Sequence, residues 1–307
     1  MDFASLEPLA GGWSGETFLG RAGDERTVVR IYARPGDRGD RAAEIDAALL
    51  RLVRGLLPVP EVLELRLPDP DAGTPGLLVT SFLPGERGDL VLPTLDDAGL
   101  AIVGRRLGTL TADLGGMPMR AAGPFVDESL TIGSFGPDDS LVAYVESQEG
   151  CFPHWTTEER DGLRGIADLA QDLLDTVERR CLVHSDLNPK NLLIDPESLE
   201  VTGLLDWEYA HAGHPFTDLG NLLRFDRRPV YVEAVLAAYE ERRGVPAEAA
   251  LALGRAADLW ALVELAARRG SNPVAERAHD LLRAVSAARD LDAVPSPAGW
   301  TAGGAHA

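Results

Sequence analysis

The sequence predicts an α+β fold in which a small β-rich lobe with one helix precedes a larger, mostly helical lobe. Short β-type segments punctuated by turn residues fill about the first eighty positions. After Pro84-Gly85, apolar residues recur at helical spacing, and a single non-helical apolar hairpin interrupts them between Cys181 and Asp206.

In chain order, Leu6 to Ala10 reads as a short strand running into Gly11-Gly12-Trp13-Ser14-Gly15, and Glu16 to Gly20 and Thr27 to Ala33 read as the next two. Arg41 to Arg54 carries Ile45, Leu49, Leu52 and Val53 at helical spacing and stops before Pro58. Extended segments at Val62 to Leu67 and Leu77 to Thr80 complete a small sheet. Leu100, Val103, Leu107, Leu110 and Leu114 then mark a long helix, with Thr94 and Asp97 as its cap and Gly115-Gly116 as its stop. A second long helix is marked by Leu163, Ile166, Leu169, Leu173 and Val177, with Thr156 and Glu159 as a capping box. Helical patterns return at about 230–243, 247–269 and 274–290. These elements divide the chain into a small β-rich lobe at 1–83, a helical lobe at 84–293, and a Pro-, Gly- and Ala-rich tail at 294–307 expected to be disordered.

Charge narrows the function. The chain has 29 Lys+Arg against 49 Asp+Glu, a net charge of −20 that repels phosphate backbones and anionic lipid, so nucleic acid and membrane surfaces are not expected partners. No apolar run approaches a spanning helix, and the start lacks the charged and apolar regions of a signal peptide. With Cys151 and Cys181 in no metal-ligand or bridge pattern, a cytoplasmic protein with free thiols is expected, as a monomer or dimer. Only one of the basic residues is a lysine, Lys190.

The hairpin carries the chemistry. A short strand through Val183 enters a polar loop holding His184, Asp186 and Asn191, and Val201 to Leu205 returns to Asp206-Trp207-Glu208. Two carboxylates and a carboxamide thus meet at adjacent loop ends. Mg²⁺ takes hard oxygen ligands and keeps several waters, so Asp206 and Asn191 with substrate phosphates would suffice to hold it. Asp186, left free of metal, could accept the proton of an attacking hydroxyl.

From His184 to Asn191 the loop reads H-x-D-x-x-x-x-N and resembles the catalytic loop of the aminoglycoside phosphotransferase-like family, small-molecule kinases of the protein-kinase fold. Asp206-Trp207-Glu208 resembles that family's metal loop, and Asp218-Leu219-Gly220 the acidic turn after it. The resemblance implies a two-lobe protein-kinase-like fold, ATP or GTP as co-substrate with Mg²⁺, and a small hydroxyl-bearing acceptor. It also implies that His184 braces the loop and that Gly11 to Gly15, with Ser14, covers the phosphates. Arg30 takes the strand position of the kinase lysine, with Glu44 as its helix partner and Val28 over the adenine. Thr80-Ser81-Phe82-Leu83 resembles the hinge, implying adenine contacts from the Ser81 carbonyl and the Leu83 N–H. Lys190, inside the loop, is expected to stabilise the transferring phosphoryl group or steady the loop.

Acceptor recognition in this family implies residues 115–156 and 225–290. Acidic residues there, among them Asp127, Glu128, Glu149, Glu240, Glu241 and Glu264, would suit an aminoglycoside. Trp155, Tyr144, Phe152 and Trp260 could line a macrolide pocket or simply pack. Choline, homoserine and sugar kinases belong to the same family, and an inert nucleotide-binding module is a further alternative. The missing G-x-G-x-x-G, the small Ser185 and the absence of A-P-E argue against a protein kinase.

Overall fold

Apolar and β-branched residues of the N-terminal region form a five-stranded antiparallel sheet in a computed structural model that describes residues 5–9, 16–22, 25–33, 38–136 and 140–296. Its strands are β1 (Ser5–Pro8), β2 (Glu16–Ala22), β3 (Glu25–Tyr32), β4 (Val62–Arg66) and β5 (Gly76–Ser81), in the order β1-β2-β3-β5-β4. Register places Val28 opposite Leu19 and Thr80, and Arg30 opposite Thr17 and Leu78, so these side chains share one face. Helix α1 (Ala42–Val53) packs on the sheet and joins Leu78 in one core through Ile45, Leu49, Leu50 and Val53. Asp46 is the charged exception, only 4% exposed.

The helical part begins with β6 (Glu86–Arg87), α2 (Gly88–Val91) and α3 (Asp97–Leu114). The cap of α3 differs from expectation. Asp96, extended, accepts from the Gly99 N–H at 2.8 Å, whereas the Thr94 hydroxyl turns back to the Val91 carbonyl. Asp96 precedes the first helical turn directly, where its short carboxylate reaches the orphan N–H groups; Thr94 lies too far upstream. Strands β7 (Pro118–Met119) and β8 (Gly123–Pro124) come after it, then α4 (Leu141–Gln148) and α5 (Thr157–Asp175). The capping box of α5 is formed by Thr156 and Glu159, as its sequence predicts.

Next come β9 (Arg180–Val183), β10 (Leu192–Ile194), β11 (Val201–Leu204), β12 (His211–Gly213) and helices α6 (Thr217–Leu223), α7 (Pro229–Arg243), α8 (Ala247–Ala267) and α9 (Pro273–Ala288). β10 pairs with both β11 and β6, while β9 and β12 form a sheet with β7 and β8. Close approach of α3 to α7 depends on Gly108, where a Cβ would come within 2.2 Å of the Val235 carbonyl oxygen. Among the described residues no helix is long and apolar enough to cross a membrane.

Candidate active site

Buried β9 delivers His184, Ser185 and Asp186 at its C-terminal end, and a 3₁₀ turn over Pro189–Asn191 closes the loop. Asn188 caps that turn by accepting from the Lys190 N–H at 2.9 Å, while its amide donates to one Asp186 carboxylate oxygen at 2.8 Å. The Asn191 amide donates to the other at 2.8 Å and to the Asp186 carbonyl at 2.9 Å. Both carboxylate oxygens are thus aimed. Burial pushes the Asp186 carboxyl above the ordinary carboxylate range, opposed by the two amides and by the charge of Arg224.

Asp218, at the start of α6 and buried, holds the loop from beneath. Its carboxylate accepts the backbone N–H groups of His184 at 2.9 Å and Ser185 at 2.8 Å. Ser185 has a φ of 65° and Asp206 a φ of 64°, both left-handed, so backbone strain sits at the two loop ends that the hydrogen bonds fix. The His184 ring donates from Nε2 to the Leu205 carbonyl at 2.9 Å, accepts the Asp186 N–H at Nδ1, and meets the Trp207 ring edge-on at 4.8 Å. Burial pushes its imidazole down to about 4, so the ring is neutral and braces the segment that leads into Asp206.

Arg30 crosses from the sheet to the Asp206–Glu208 segment. Its guanidinium donates to Asp206 at 2.9 Å and Glu208 at 2.6 Å, and lies 3.8 Å from Asp46. Burial disfavours its charge, yet Tyr32, Asp206, Asp46 and Glu208 hold it above the ordinary arginine range. The helix carboxylate that meets Arg30 is therefore Asp46, not Glu44. Two residues apart on a helix, the two side chains point about 200° away from one another, and Asp46 faces the sheet. Asp46 also accepts the Tyr32 hydroxyl at 2.7 Å. Glu44→Gln is expected to leave nucleotide KM within about twofold, whereas Asp46→Asn raises it about tenfold; steady-state kinetics of both variants checks this.

Behind the hinge segment, the Ser81 hydroxyl accepts from the Glu61 N–H at 2.9 Å, and the Ser81 N–H donates to the Glu61 carbonyl at 2.8 Å. The β10–β11 hairpin braces the adjoining residues: Thr202 donates to the Pro84 carbonyl at 2.5 Å, and Leu83 lies against Gly203, where a Cβ would meet it at 3.1 Å. Val28 is half-buried on the Arg30 face. Ser14 and its glycine-rich neighbours lie outside the described residues.

The profile of the phosphotransferase enzyme family (APH) matches residues 5–253. The chain belongs to this family. Solved structures with the same fold include the GDP complex of aminoglycoside 2'-phosphotransferase-IIIa (19% identity, TM-score 0.69, 94% of each chain). The macrolide 2'-phosphotransferase of Brachybacterium faecium is similar (23% identity, TM-score 0.60, 89% of this chain and 90% of that one). These likenesses establish the protein-kinase-like two-lobe fold. Among curated proteins, acyl-CoA dehydrogenase family member 10 of Mus musculus is 27% identical over 221 residues, and family member 11 of the same organism 40% identical over 57. The chain spans 19% and 7% of their lengths.

In this phosphotransferase the donor set suits a hard divalent cation. The Asn191 amide nitrogen is committed to Asp186, which leaves its carbonyl oxygen as an acceptor, and Asp206 keeps a partly exposed carboxylate. No group of three or more His, Cys, Asp or Glu suited to a metal occurs among the described residues. A cation shared with phosphates needs no such group. The Lys190 side chain is exposed and forms no ion pair among the described residues, while its backbone N–H is held by Asn188. Lys190→Met is expected to leave kcat and nucleotide KM within about twofold.

Three groups went unseen in the sequence: Asp46, the Glu208 contact to Arg30, and Arg224. Buried Arg224 donates to both carboxylate oxygens of Asp258 on α8, at 2.8 and 2.6 Å, and its charge reaches Asp186. An arginine directly after Leu222 and Leu223 was the available signal for it.

Proposed function

We propose that this phosphotransferase transfers the γ-phosphoryl group of ATP or GTP to a hydroxyl of a small molecule. Residues 1–83 serve as the nucleotide lobe and 84–293 as the lobe carrying the loop and acceptor site. The observation that carries the reading is the aimed Asp186 carboxylate, fixed by Asn188 and Asn191 within a loop that also meets the Asp206 segment through His184.

Asp186 orients the acceptor hydroxyl and takes its proton as the acceptor oxygen bonds to the γ-phosphorus and the β–γ bridging P–O bond breaks. Arg30, fixed by carboxylates, presents a fork suited to two phosphate oxygens. Asn191 and Asp206 would hold Mg²⁺, which when bound neutralises charge on the β- and γ-phosphates. Val28, the Ser81 carbonyl and the Leu83 N–H form the adenine side.

An aminoglycoside-type acceptor has support from the ternary complex of the similar aminoglycoside phosphotransferase APH(4)-Ia with ADP and hygromycin B (18% identity, TM-score 0.63). A second reading, an acceptor with a broad apolar face such as a macrolide, is favoured by one observation. Four of the acidic candidates of the helical lobe are engaged by arginines: Glu128 with Arg41, Glu149 with Arg164, Glu241 with Arg105 and Glu264 with Arg268. Tyr144, by contrast, stacks on partly exposed Trp260 at 4.9 Å. Of the other aromatic candidates, Phe152 and Trp155 are buried against His279 and belong to the core.

The test is Mg²⁺-dependent consumption of ATP and GTP across aminoglycosides, macrolides, amino alcohols, sugars and a generic protein. Turnover with a small molecule is the expected result. Phosphorylation of protein alone, or no nucleotide binding, overturns the reading.

A further inference from the structure

Arg38 stands just ahead of α1, outside every motif, and yet its side chain is only 10% exposed. A guanidinium so far out of water needs partners on several sides. Its Nη1 donates to Asp46 at 2.5 Å and its Nη2 to the Ala210 carbonyl at 2.6 Å. Ala210 lies two residues beyond Glu208 and is tied by its own N–H to the Trp207 carbonyl at 3.0 Å. Arg38 therefore grips the metal loop by its backbone, where no ligand competes.

This contact completes a circuit. Arg38 holds one oxygen of Asp46; the other faces Tyr32 and Arg30; Arg30 in turn holds Asp206 and Glu208; and Arg38 returns to the chain at Ala210. The two arginines from the nucleotide lobe thus grip residues 206–210 at three points. They differ in what a nucleotide does to them. Phosphates compete with Asp206 and Glu208 for Arg30, and a cation competes with Arg30 for Asp206. Neither competes for the Ala210 carbonyl.

We propose that Arg38 is a positioning residue that keeps α1 and the metal loop joined while Arg30 turns from carboxylates to the phosphates of the nucleotide. The assignment rests on the kinase reading above. It requires a fork, since one donor must reach Asp46 and another Ala210; an ammonium at the end of a flexible stem is a single point of charge.

The experiment is titration calorimetry of Mg²⁺·ATP with the full chain, beside steady-state kinetics, for Arg38→Gln, Arg38→Lys, Asp46→Asn and the Arg38→Gln/Asp46→Asn double variant. Arg38→Gln is expected to weaken Mg²⁺·ATP binding and raise KM about tenfold or more, with kcat within about threefold. Arg38→Lys recovers less than half of that loss on a logarithmic scale, and the double variant falls no further than the worse single one. Wild-type affinity in Arg38→Gln, full rescue by lysine, multiplying effects in the double variant, or a fall in Tm with unchanged KM overturns the assignment. Should Arg38→Gln fail to fold, Arg38→Lys decides: a KM raised about threefold supports the role and an unchanged KM overturns it. No binding by the wild-type protein overturns the kinase reading itself, and this role with it.

Discussion

Asp186→Asn is expected to lower kcat about a thousandfold while leaving nucleotide KM within a few-fold. Each oxygen of the Asp186 carboxylate accepts one hydrogen bond, one from Asn188 and the other from Asn191. An asparagine there must place an NH₂ against one of those two donating amides, so the substitution removes the proton acceptor and disturbs the carboxamide beside it. Arg30 and Asp206, the groups proposed to meet the phosphates, are untouched, which is why the loss falls on kcat. The pH profile of the wild-type enzyme carries the same signature. Burial raises the Asp186 pKa, and the base works only when ionised, so the acid limb of kcat lies above the ordinary carboxylate range and activity falls as pH drops through it. Stopped-flow or coupled-assay kinetics of both proteins from about pH 5 to 8 checks both statements. An Asp186→Asn variant with wild-type kcat would show that another group takes the proton.

What the sequence disclosed and what it withheld separate by range of interaction. Helices with long stripes, such as α3 and α5, are visible because repeats at three and four residues report burial of one face. α4 is short and fully buries just Leu141 and Val145, too few repeats to register, and α6 mixes buried Asp218 and Asn221 among its leucines, so polarity hides its periodicity. The loop residues His184, Asp186, Asn191 and Asp206 are legible because their spacing is fixed by a short hairpin. The pairing of Arg30 with Asp206 and Glu208 joins residues more than 170 positions apart. No local pattern distinguishes Asp46 from Glu44 as its helix partner; only the rotation of α1 over the sheet does. The same rotation leaves Glu44 half-buried and without the role that motif position suggested.

Asp218→Asn is expected to destabilise the fold by about 1–3 kcal/mol near pH 7 and to lower kcat about a hundredfold, although residue 218 touches no reacting atom. Its two carboxylate oxygens accept the His184 and Ser185 N–H groups. An asparagine supplies one acceptor, and the other N–H meets an NH₂ group in a buried site. Ser185, held at a φ of 65°, then loses the bond that stabilises its strained backbone, and Asp186 shifts with it.

The stability difference has a pH signature whose sign is set by the carboxyl. Burial pushes the Asp218 carboxyl up to about 7 from an ordinary 3.8, so the folded chain retains a proton that the unfolded chain releases. Its contribution is full below about 4 and is lost as pH rises toward 7. His184 and His214 act in the opposite sense: burial pushes both imidazoles down to about 4 from 6.5, so their contribution is present above 6.5 and lost as pH falls through 4. In the wild-type protein the carboxyl and the imidazoles therefore offset one another between pH 4 and 6.5. Removing the carboxyl leaves the imidazoles unopposed, and the stability of Asp218→Asn climbs more steeply with pH across that window, by up to about 1.4 kcal/mol per pH unit for the single proton of Asp218. The gap between the two proteins is accordingly widest near pH 4 and narrows toward 7. Urea denaturation of both at half-unit intervals measures it, and a gap independent of pH would mean that Asp218 is ionised throughout and holds the loop as a full carboxylate.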